Sequence, residues 1–241
     1  MTRNSDLRSD SARVAMISGA NRGIGAAIAS ELVRAGWRLS LGVRNPTSLR
    51  EPPGGKDTFL HRFDAHDEAC EAAWSEATGA RFGRIDAVIA NAGVMIAKSV
   101  VEAGDADVET VLQVNVKSPM RLIRAAWPWL VECGAGRVVL IASLSGKRVK
   151  SAASGLYAVS KFAALGLAHA VRQAGWDAGV RATAVCPGFV ATEMAASLTS
   201  RRAQDMTQPA DIGRIVAFLL DLPSSASVAE IPVNSTLEDI A

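Results

Sequence analysis

The sequence predicts an α/β protein with a doubly wound parallel sheet that carries helices on both faces. Short apolar runs alternate with longer helix-like segments along the whole chain, a pattern typical of parallel strands joined by crossover helices. Polar or glycine-rich turns follow several of these runs, where such sheets bind ligands. Because no linker or internal repeat interrupts the pattern, residues 13–241 are expected to form a single domain after a flexible polar tail at residues 1–12.

The elements are expected in the following order. Strands are predicted at 13–18, 38–43, 58–63, 85–90, 136–142, 180–186 and 228–233. Helices are predicted at 23–35, 67–78, 107–132, 156–175 and 211–220. Pro119 and Pro128 should bend the longest helix, because proline lacks the N–H of a regular helical hydrogen bond. Residues 189–207 have weak periodicity, so we expect a loop with a short helix that covers the substrate.

Composition excludes several classes of function. The chain has 241 residues, 49% of them hydrophobic, and a net charge of +2, which gives no support for a nucleic-acid or membrane-surface partner. No apolar run reaches the length of a membrane span. Cys70, Cys133 and Cys186 are far apart and fit neither a disulfide framework nor a zinc site, so the cytoplasm is the expected location. His61, His66 and His169 are scattered along the sequence, and metal catalysis therefore has no support.

A glycine-rich turn follows the first predicted strand. Gly19, Gly23 and Gly25 lie between that strand and the start of a helix. Glycines let the backbone approach a pyrophosphate, and the free N–H groups of a helix N-terminus favour negative charge. The alternative is an ordinary turn without a ligand. The context favours a Rossmann-type, dinucleotide-binding fold.

The end of the second strand indicates which dinucleotide is bound. An acidic residue there would accept hydrogen bonds from the adenine ribose and favour NAD, whereas this chain has Arg44. Arg22, inside the glycine-rich turn, is a second cation that can reach the same place. Two guanidinium groups suit a 2′-phosphate, so NADP(H) is expected in preference to NAD(H), unless both arginines are merely solvated.

Tyr157 and Lys161 stand out in a segment of small and apolar residues. They are four residues apart and so share one face of the predicted helix. A nearby ammonium favours the phenolate, and we therefore expect the pKa of Tyr157 to lie below its usual value. A tyrosine tuned in this way can exchange a proton during a reaction. The alternative is an ordinary Tyr–Lys pair on an exposed helix face.

These motifs together resemble the short-chain dehydrogenase/reductase family, in its standard-length single-domain form. The resemblance rests on segments in the family's order and spacing, which are residues 18–25, Asn91-Ala92-Gly93, Asn115, Ser143, Tyr157-x-x-x-Lys161 and Pro187-Gly188-x-x-x-Thr192. It runs from about residue 13 to residue 194. A weaker likeness links residues 228–238 to NADP-dependent 3-hydroxy acid or serine dehydrogenases, and substrate identity does not follow from it.

The resemblance implies a role for each motif. Tyr157 would be the general acid/base, Lys161 would lower its pKa and hold the nicotinamide ribose, Ser143 would polarise the substrate oxygen, and Asn115 would position a water near Lys161. Ser143 and Tyr157 would thus contact the substrate. The implied cofactor-binding residues are Gly19, Asn21, Arg22, Gly23, Ile24, Gly25, Arg44, Asp64, Asn91, Ala92, Gly93, Tyr157, Lys161, Pro187, Gly188, Val190 and Thr192.

The expected activity is hydride transfer between NADP(H) and a small carbonyl or alcohol substrate. Two alternatives stay open, namely a non-catalytic nucleotide-binding regulatory protein and an epimerase or dehydratase that uses the same Tyr–Lys pair. The helices at about 107–132 and 156–175 carry apolar residues on more than one face, as helices that meet a partner often do. The family commonly pairs these helices, so a homodimer or homotetramer is expected.

Overall fold

A computed structural model describes residues 12–49 and 51–237, in which seven strands form one parallel sheet. The tail predicted at residues 1–12 lies outside the described residues, except for residue 12. The strand order is β3-β2-β1-β4-β5-β6-β7. The strands are β1 (Val14–Ser18), β2 (Arg38–Val43), β3 (Thr58–Arg62), β4 (Ala87–Ala90), β5 (Arg137–Ile141), β6 (Arg181–Pro187) and β7 (Glu230–Val233). The predicted doubly wound parallel sheet is therefore confirmed.

Helices cover both faces of this sheet. They are α1 (Gly23–Arg34), α2 (Cys70–Phe82), α3 (Asp105–Leu112), α4 (Ser118–Glu132), α5 (Gly155–Gly175), α6 (Glu193–Ala196) and α7 (Pro209–Asp221). One apolar core lies under α2, α4 and α5 and includes Trp74, Leu122 and Leu130. A second core, with Ile28 and Ile212, lies under α1 and α7. Because both faces are covered, β1, β4 and β5 are buried along their whole length.

The strand order reverses between β1 and β4, and this reversal places the ligand crevice. β1 pairs with β2 on one side and with β4 on the other. The chain therefore leaves β1 in one direction and returns after β3 to extend the sheet in the other. At such a switch point the loops after the two strands diverge and leave a crevice outside their carboxyl ends. The glycine-rich turn follows β1 and residues 91–93 follow β4 at this place.

The second helix begins later than the sequence predicts. A start at residue 67 was expected, whereas α2 spans Cys70–Phe82. The side chain of Asp67 accepts a hydrogen bond from the Ala69 N–H at 3.2 Å, and the backbone carbonyl of Asp67 accepts one from the Cys70 N–H. Asp67 thus forms a turn before the helix instead of its first turn. The helix ends at Gly83, whose φ of 72° is left-handed.

The longest predicted helix is interrupted. A π-helical turn at Gln113–Lys117 separates α3 from α4, with Asn115 in its middle. Pro119 follows directly, in the first turn of α4. Because Pro119 has no N–H, it cannot give Asn115 its regular helical hydrogen bond, and a wider turn at this point agrees with that loss. No helix among the described residues has the length and apolarity that a membrane crossing requires.

Candidate active site and cofactor cleft

A cleft of about 970 Å³ lies at the carboxyl ends of the central strands. It brings together almost all of the site residues that the sequence predicts. Those in its lining are Gly19, Asn21, Arg22, Gly23, Ile24, Arg44, Asp64, Asn91, Ala92, Gly93, Ser143, Tyr157, Lys161, Pro187, Gly188, Val190 and Thr192. Gly25 and Asn115 are not in the lining, although both lie next to residues that are.

The glycine-rich turn is shaped by two left-handed residues and one close contact. Gly19 has a φ of 66° and Gly23 a φ of 56°, values that other residues rarely adopt. A Cβ on Gly25 would lie 2.4 Å from the Gly19 carbonyl oxygen, so a side chain there would push the turn away from α1. The N-terminus of α1 has no side-chain cap and no acid in its first turn. Its free N–H groups therefore suit an anionic ligand.

Asn91 and Ser18 join the glycine-rich turn to the end of β4. The Ser18 hydroxyl accepts hydrogen bonds from the Asn91 and Ala92 N–H groups, both at 3.0 Å. The Asn91 side-chain amide donates to the Ser18 carbonyl at 2.9 Å and to the Gly19 carbonyl at 3.1 Å. Asn91 thus holds the backbone of the turn in place, besides lining the cleft.

The two arginines expected near the adenine ribose have different surroundings. Arg44 is exposed at the end of β2, and the described residues offer it no hydrogen bond or ion pair. Arg22 instead forms an ion pair with Glu193 at the start of α6. Glu193 also lines the cleft and is a site residue that the sequence reasoning missed. Its pairing follows from the placement of a loop and leaves no local pattern to detect.

The other end of the cleft holds Tyr157, Lys161 and Ser143. The Lys161 Nζ lies 5.5 Å from the centroid of the Tyr157 ring and donates to the Ile141 carbonyl at 2.8 Å. Ser143 follows β5, and its hydroxyl accepts a hydrogen bond from the Ser145 N–H at 3.1 Å. The predicted grouping of these three side chains therefore has a basis in the fold, because α5 crosses the end of β5.

The electrostatics of the Tyr–Lys pair differ from the expectation. Burial raises the pKa of Tyr157 to about 12, and the Ser143 side chain opposes that rise. Burial also lowers the pKa of Lys161 to about 8, while the Cys186 thiol opposes that fall. The prediction that the pKa of Tyr157 falls is therefore wrong for this structure. Tyr157 and Lys161 do lie close together, as predicted. The removal of both groups from water has a larger effect on the pKa of Tyr157 than the nearby ammonium has.

Asn115 is fully engaged by the polypeptide next to the cleft. Its side-chain oxygen accepts a hydrogen bond from the Val94 N–H at 2.9 Å. Its amide donates to the Val94 carbonyl and to the Ser160 hydroxyl, both at 2.9 Å. A Cβ on Gly93 would lie 3.3 Å from the Asn115 oxygen and 3.8 Å from the Lys161 Nζ. Asn115 therefore fixes the loop after β4 close to Lys161.

The outer rim of the cleft is largely apolar. Its apolar members include Met95, Leu144, Phe189, Met194 and Leu198, and two cations, Arg148 and Lys150, lie in the same part of the chain as Ser143. The loop predicted to cover the substrate does contribute to this rim. Arg201 and Arg202 of this loop do not line the cleft. Arg201 lies over the Phe189 ring, and Arg202 pairs with Asp205.

A parallel sheet with a glycine-rich turn at its switch point, and with a Tyr–Lys–Ser group at the other end of one cleft, is typical of Rossmann-type oxidoreductases that use a dinucleotide. The sequence model described as short chain dehydrogenase matches residues 13–203. The chain belongs to the short-chain dehydrogenase/reductase family, whose members act on CH–OH or carbonyl groups.

Individual relatives agree with this assignment. An agropine synthesis reductase of Rhizobium rhizogenes is 41% identical over 94% of this chain and 53% of its own length. The chain thus spans about half the length of the curated relative. An alcohol dehydrogenase of Thermococcus sibiricus in complex with 5-hydroxy-NADP is 28% identical, with a TM-score of 0.82, and the match covers 94% of this chain and 98% of the other. A metagenomic short-chain oxidoreductase in complex with NADP is 29% identical, with a TM-score of 0.79, over 95% and 99% of the two chains.

Proposed function

We propose that the chain transfers hydride between NADP(H) and a small carbonyl or alcohol compound, with Tyr157 as general acid/base. The observation that carries this proposal is the placement of Tyr157, Lys161 and Ser143 at one end of a cleft whose other end is the glycine-rich turn. A dinucleotide that lies along this cleft would bring its nicotinamide to the Tyr157 end. The reductase and dehydrogenase names of the relatives support the reaction class.

The residues of the cleft fit such a cofactor. Gly19, Gly23 and Gly25 leave the backbone of the turn open, and the uncapped N-terminus of α1 provides donors for a pyrophosphate. Gly93 leaves space beside Lys161 for a ribose. When bound, the cofactor supplies the hydride chemistry itself, and the protein residues bind, orient and handle the proton. The residues proposed to bind the cofactor are those that the family resemblance implies in the sequence analysis. Gly25 is one of them and supports the turn without lining the cleft.

Proton transfer is assigned to Tyr157. In reduction its hydroxyl would donate a proton to the substrate oxygen and become the phenolate, and in oxidation the phenolate would accept a proton from the substrate hydroxyl. The Ser143 hydroxyl shares that oxygen and polarises the carbonyl. With a pKa of about 8, Lys161 is mostly protonated at neutral pH, and its ammonium has three donors, of which one binds the Ile141 carbonyl. The remaining donors can hold ribose hydroxyls and stabilise the phenolate.

Asn115 is assigned to the supply of protons. The two amide donors of its side chain and one lone pair of its side-chain oxygen are occupied by Val94 and Ser160, so the backbone carbonyl is the acceptor that we assign to a water. Pro119 cannot donate to that carbonyl because it lacks an N–H. We infer that this carbonyl accepts a hydrogen bond from a water next to Lys161. Asn115 would then complete a path for protons from solvent to Tyr157.

A Tyr157→Phe variant tests the catalytic assignment. Consumption of NADPH is followed by absorbance with a panel of aldehydes, ketones and 3-oxo acids. The wild type should reduce at least one of them, and the variant should lose about 10²- to 10⁴-fold in rate, the contribution of general acid catalysis, while it still binds NADPH. Phe162→Tyr on the same helix is the control and should keep its rate. Full activity in Tyr157→Phe would refute the assignment, and NADPH binding without any turnover would favour a regulatory protein.

Preference for NADP(H) is assigned mainly to Arg44. β2, the strand before Arg44, has no acidic residue at its end. Among the described residues, nothing occupies the Arg44 guanidinium, so it is available for a 2′-phosphate. Two structural relatives described in complex with NADP or its derivative support the choice. An Arg44→Ala variant should lose about 10-fold in affinity for NADPH, corresponding to one charge-assisted hydrogen bond, with little change for NADH. Arg34→Ala is the control, and an unchanged preference in Arg44→Ala would refute this assignment.

The assembly is proposed from the exposed faces of α4 and α5. Met120 and Val131 on α4, and Val159 and Phe162 on α5, are exposed although they are apolar. Both helices pack on the same face of the sheet, so a second copy can cover them together and form a homodimer or a homotetramer. A Phe162→Asp variant should shift the mass measured by light scattering towards the monomer, and an unchanged mass would contradict this interface.

The remaining assignments concern organisation and location. We infer that residues 13–241 form one domain, since both apolar cores lie on the same sheet. A reducing cytoplasm is proposed because Cys70, Cys133 and Cys186 are all free thiols. Proteolysis that releases a stable fragment from within residues 13–241 would contradict the first inference.

A further inference from the structure

Arg22 and Glu193 form an ion pair across the mouth of the cleft. Arg22 lies in the glycine-rich turn, directly before α1, and Glu193 is the first residue of α6. The two walls also lie close at this point, because a Cβ added to Gly23 would lie 3.2 Å from the Thr192 methyl group. Both paired side chains are exposed, Arg22 by 59% and Glu193 by 73%. The pair is therefore open to solvent and can exchange partners.

The loop that carries Glu193 is anchored at its base. Val190 and Thr207 form a β-bridge. The Ala191 N–H donates to the Thr207 carbonyl at 2.9 Å, and the Thr207 N–H donates to the Phe189 carbonyl at 3.2 Å. These bonds close the ends of the segment from 192 to 206 against each other. We call residues 192–206 the flap, and its two ends are held together at the edge of the cleft by these bonds.

Beyond that base the flap bonds mainly to itself. Thr192 caps α6 by accepting from the Ala195 N–H, and Arg202 pairs with Asp205. For the part of the chain that the structure describes, the Arg22–Glu193 pair is the sole hydrogen bond or ion pair that joins residues 192–206 to anything before residue 189. Among the described residues, the polar attachment of the flap to the opposite wall therefore depends on one exposed ion pair.

We propose that Glu193 is a positioning residue for Arg22 and that their ion pair is a latch, which must open when the cofactor binds and when it leaves. The inference rests on the proposed function, since it takes the pyrophosphate to lie on the glycine-rich turn beneath this pair. A carboxylate that holds the guanidinium also keeps Arg22 directed across the mouth of the cleft. Exposed ion pairs are weak, so the latch biases the flap towards closure and still opens readily.

Rates of NADPH binding and release test the latch. Stopped-flow fluorescence would compare the wild type with Glu193→Gln, Arg22→Gln and the double variant. In Glu193→Gln, both the association and the dissociation rate should rise by about 1.5- to 5-fold, the range expected for one exposed ion pair. The equilibrium affinity should change less than either rate, because the latch affects the barrier to passage in both directions.

The double variant separates a latch from two independent effects. In the Arg22→Gln background, the substitution Glu193→Gln should leave both rates unchanged, because the partner is already lost. Asp205→Asn, which breaks an exposed ion pair inside the flap, is the matched control and should keep wild-type rates. Equal rates in the wild type and Glu193→Gln, or effects of the two substitutions that simply add, would overturn the proposal.

Hydrogen exchange without any nucleotide tests the latch independently of the cofactor assignment. Backbone amides of residues 194–199 should exchange faster in Glu193→Gln than in the wild type, by about the same 1.5- to 5-fold. Amides of α7 should exchange equally in both proteins. Unchanged exchange in residues 194–199 would overturn the latch. A wild type that fails to bind NADPH would instead overturn the cofactor assignment, and the exchange result would still decide the latch.

Discussion

Replacing Lys161 with methionine should make the stability of the protein depend on pH in a different way. Lys161 is buried, and burial lowers its pKa from 10.5 to about 8. Between these two values the unfolded chain binds more protons than the folded one. The free energy of unfolding of the wild type therefore rises with pH over this interval. The methionine variant lacks the titrating group and does not share this rise.

The size of the effect follows from the two pKa values. The lowered pKa of Lys161 reduces the free energy of unfolding by about 3 kcal/mol at pH 7, where the group is charged, and by about 1 kcal/mol at pH 9.5. The wild type should therefore gain about 2 kcal/mol relative to Lys161→Met between these pH values. The variant also leaves the Ile141 carbonyl without its donor, a loss of about 1–3 kcal/mol. That loss is the same at both pH values and cancels from the difference.

Urea unfolding followed by circular dichroism measures this difference. Both proteins are unfolded at several pH values from 7 to 9.5, and the free energies are extrapolated to water. Lys56→Met, which removes an exposed lysine, is the matched control and should follow the pH dependence of the wild type. A constant gap between the wild type and Lys161→Met over this range would refute the argument that a buried, charged Lys161 lies in the site at the cost of stability.

Three further substitutions test the fold and the support of the site. Gly79→Ala should lower the free energy of unfolding by about 1–3 kcal/mol, because the added Cβ would lie 2.3 Å from the Trp129 ring between α2 and α4; a neutral effect in urea unfolding would show that these helices separate easily. Asp86→Asn should lower the free energy of unfolding by about 1–3 kcal/mol, because the buried carboxylate accepts from the Val14 N–H at 2.8 Å and from the Arg84 guanidinium at 2.8 and 2.6 Å, and an amide has only one acceptor oxygen; an unchanged melting temperature would contradict this. Asn115→Ala should lower both the melting temperature and the turnover rate, because its side chain holds the loop after β4; loss of turnover with unchanged stability would indicate that the side chain acts only in the chemistry.

The architecture followed from the sequence because its signals are local. A buried parallel strand is a short apolar run, and a crossover helix has its own period. Gly19 and Gly23 could also be recognised as turn residues from the sequence, since a turn with positive φ favours glycine. The same holds for Tyr157 and Lys161, whose spacing of four residues places them on one helix face. Each of these features depends on residues that are close together in the chain.

Other features depend on contacts between distant segments and left no such pattern. Glu193 meets Arg22 across 171 positions of sequence, and nothing around either residue indicates the partner. The pKa of Tyr157 was predicted in the wrong direction because the sequence shows proximity but not burial, and burial decides the sign. Asn115 was expected to position a water near Lys161, which stays a prediction, and its three side-chain hydrogen bonds to Val94 and Ser160 could not be foreseen because these partners are distant in the sequence.

The π-helical turn between α3 and α4 has a consequence for insertions and deletions. A turn of this kind accommodates one residue more than an α-helical turn, and one residue corresponds to about 100° of rotation around a helix axis. Deleting Val116 should therefore allow one continuous helix from 105 to 132. Either α3 or α4 would then have to turn by this angle, and Asn115 could not keep its bonds to Val94 while α4 kept its apolar stripe on the sheet. The extra residue lets a single stretch of helix serve two surfaces that a regular helix could not face at once.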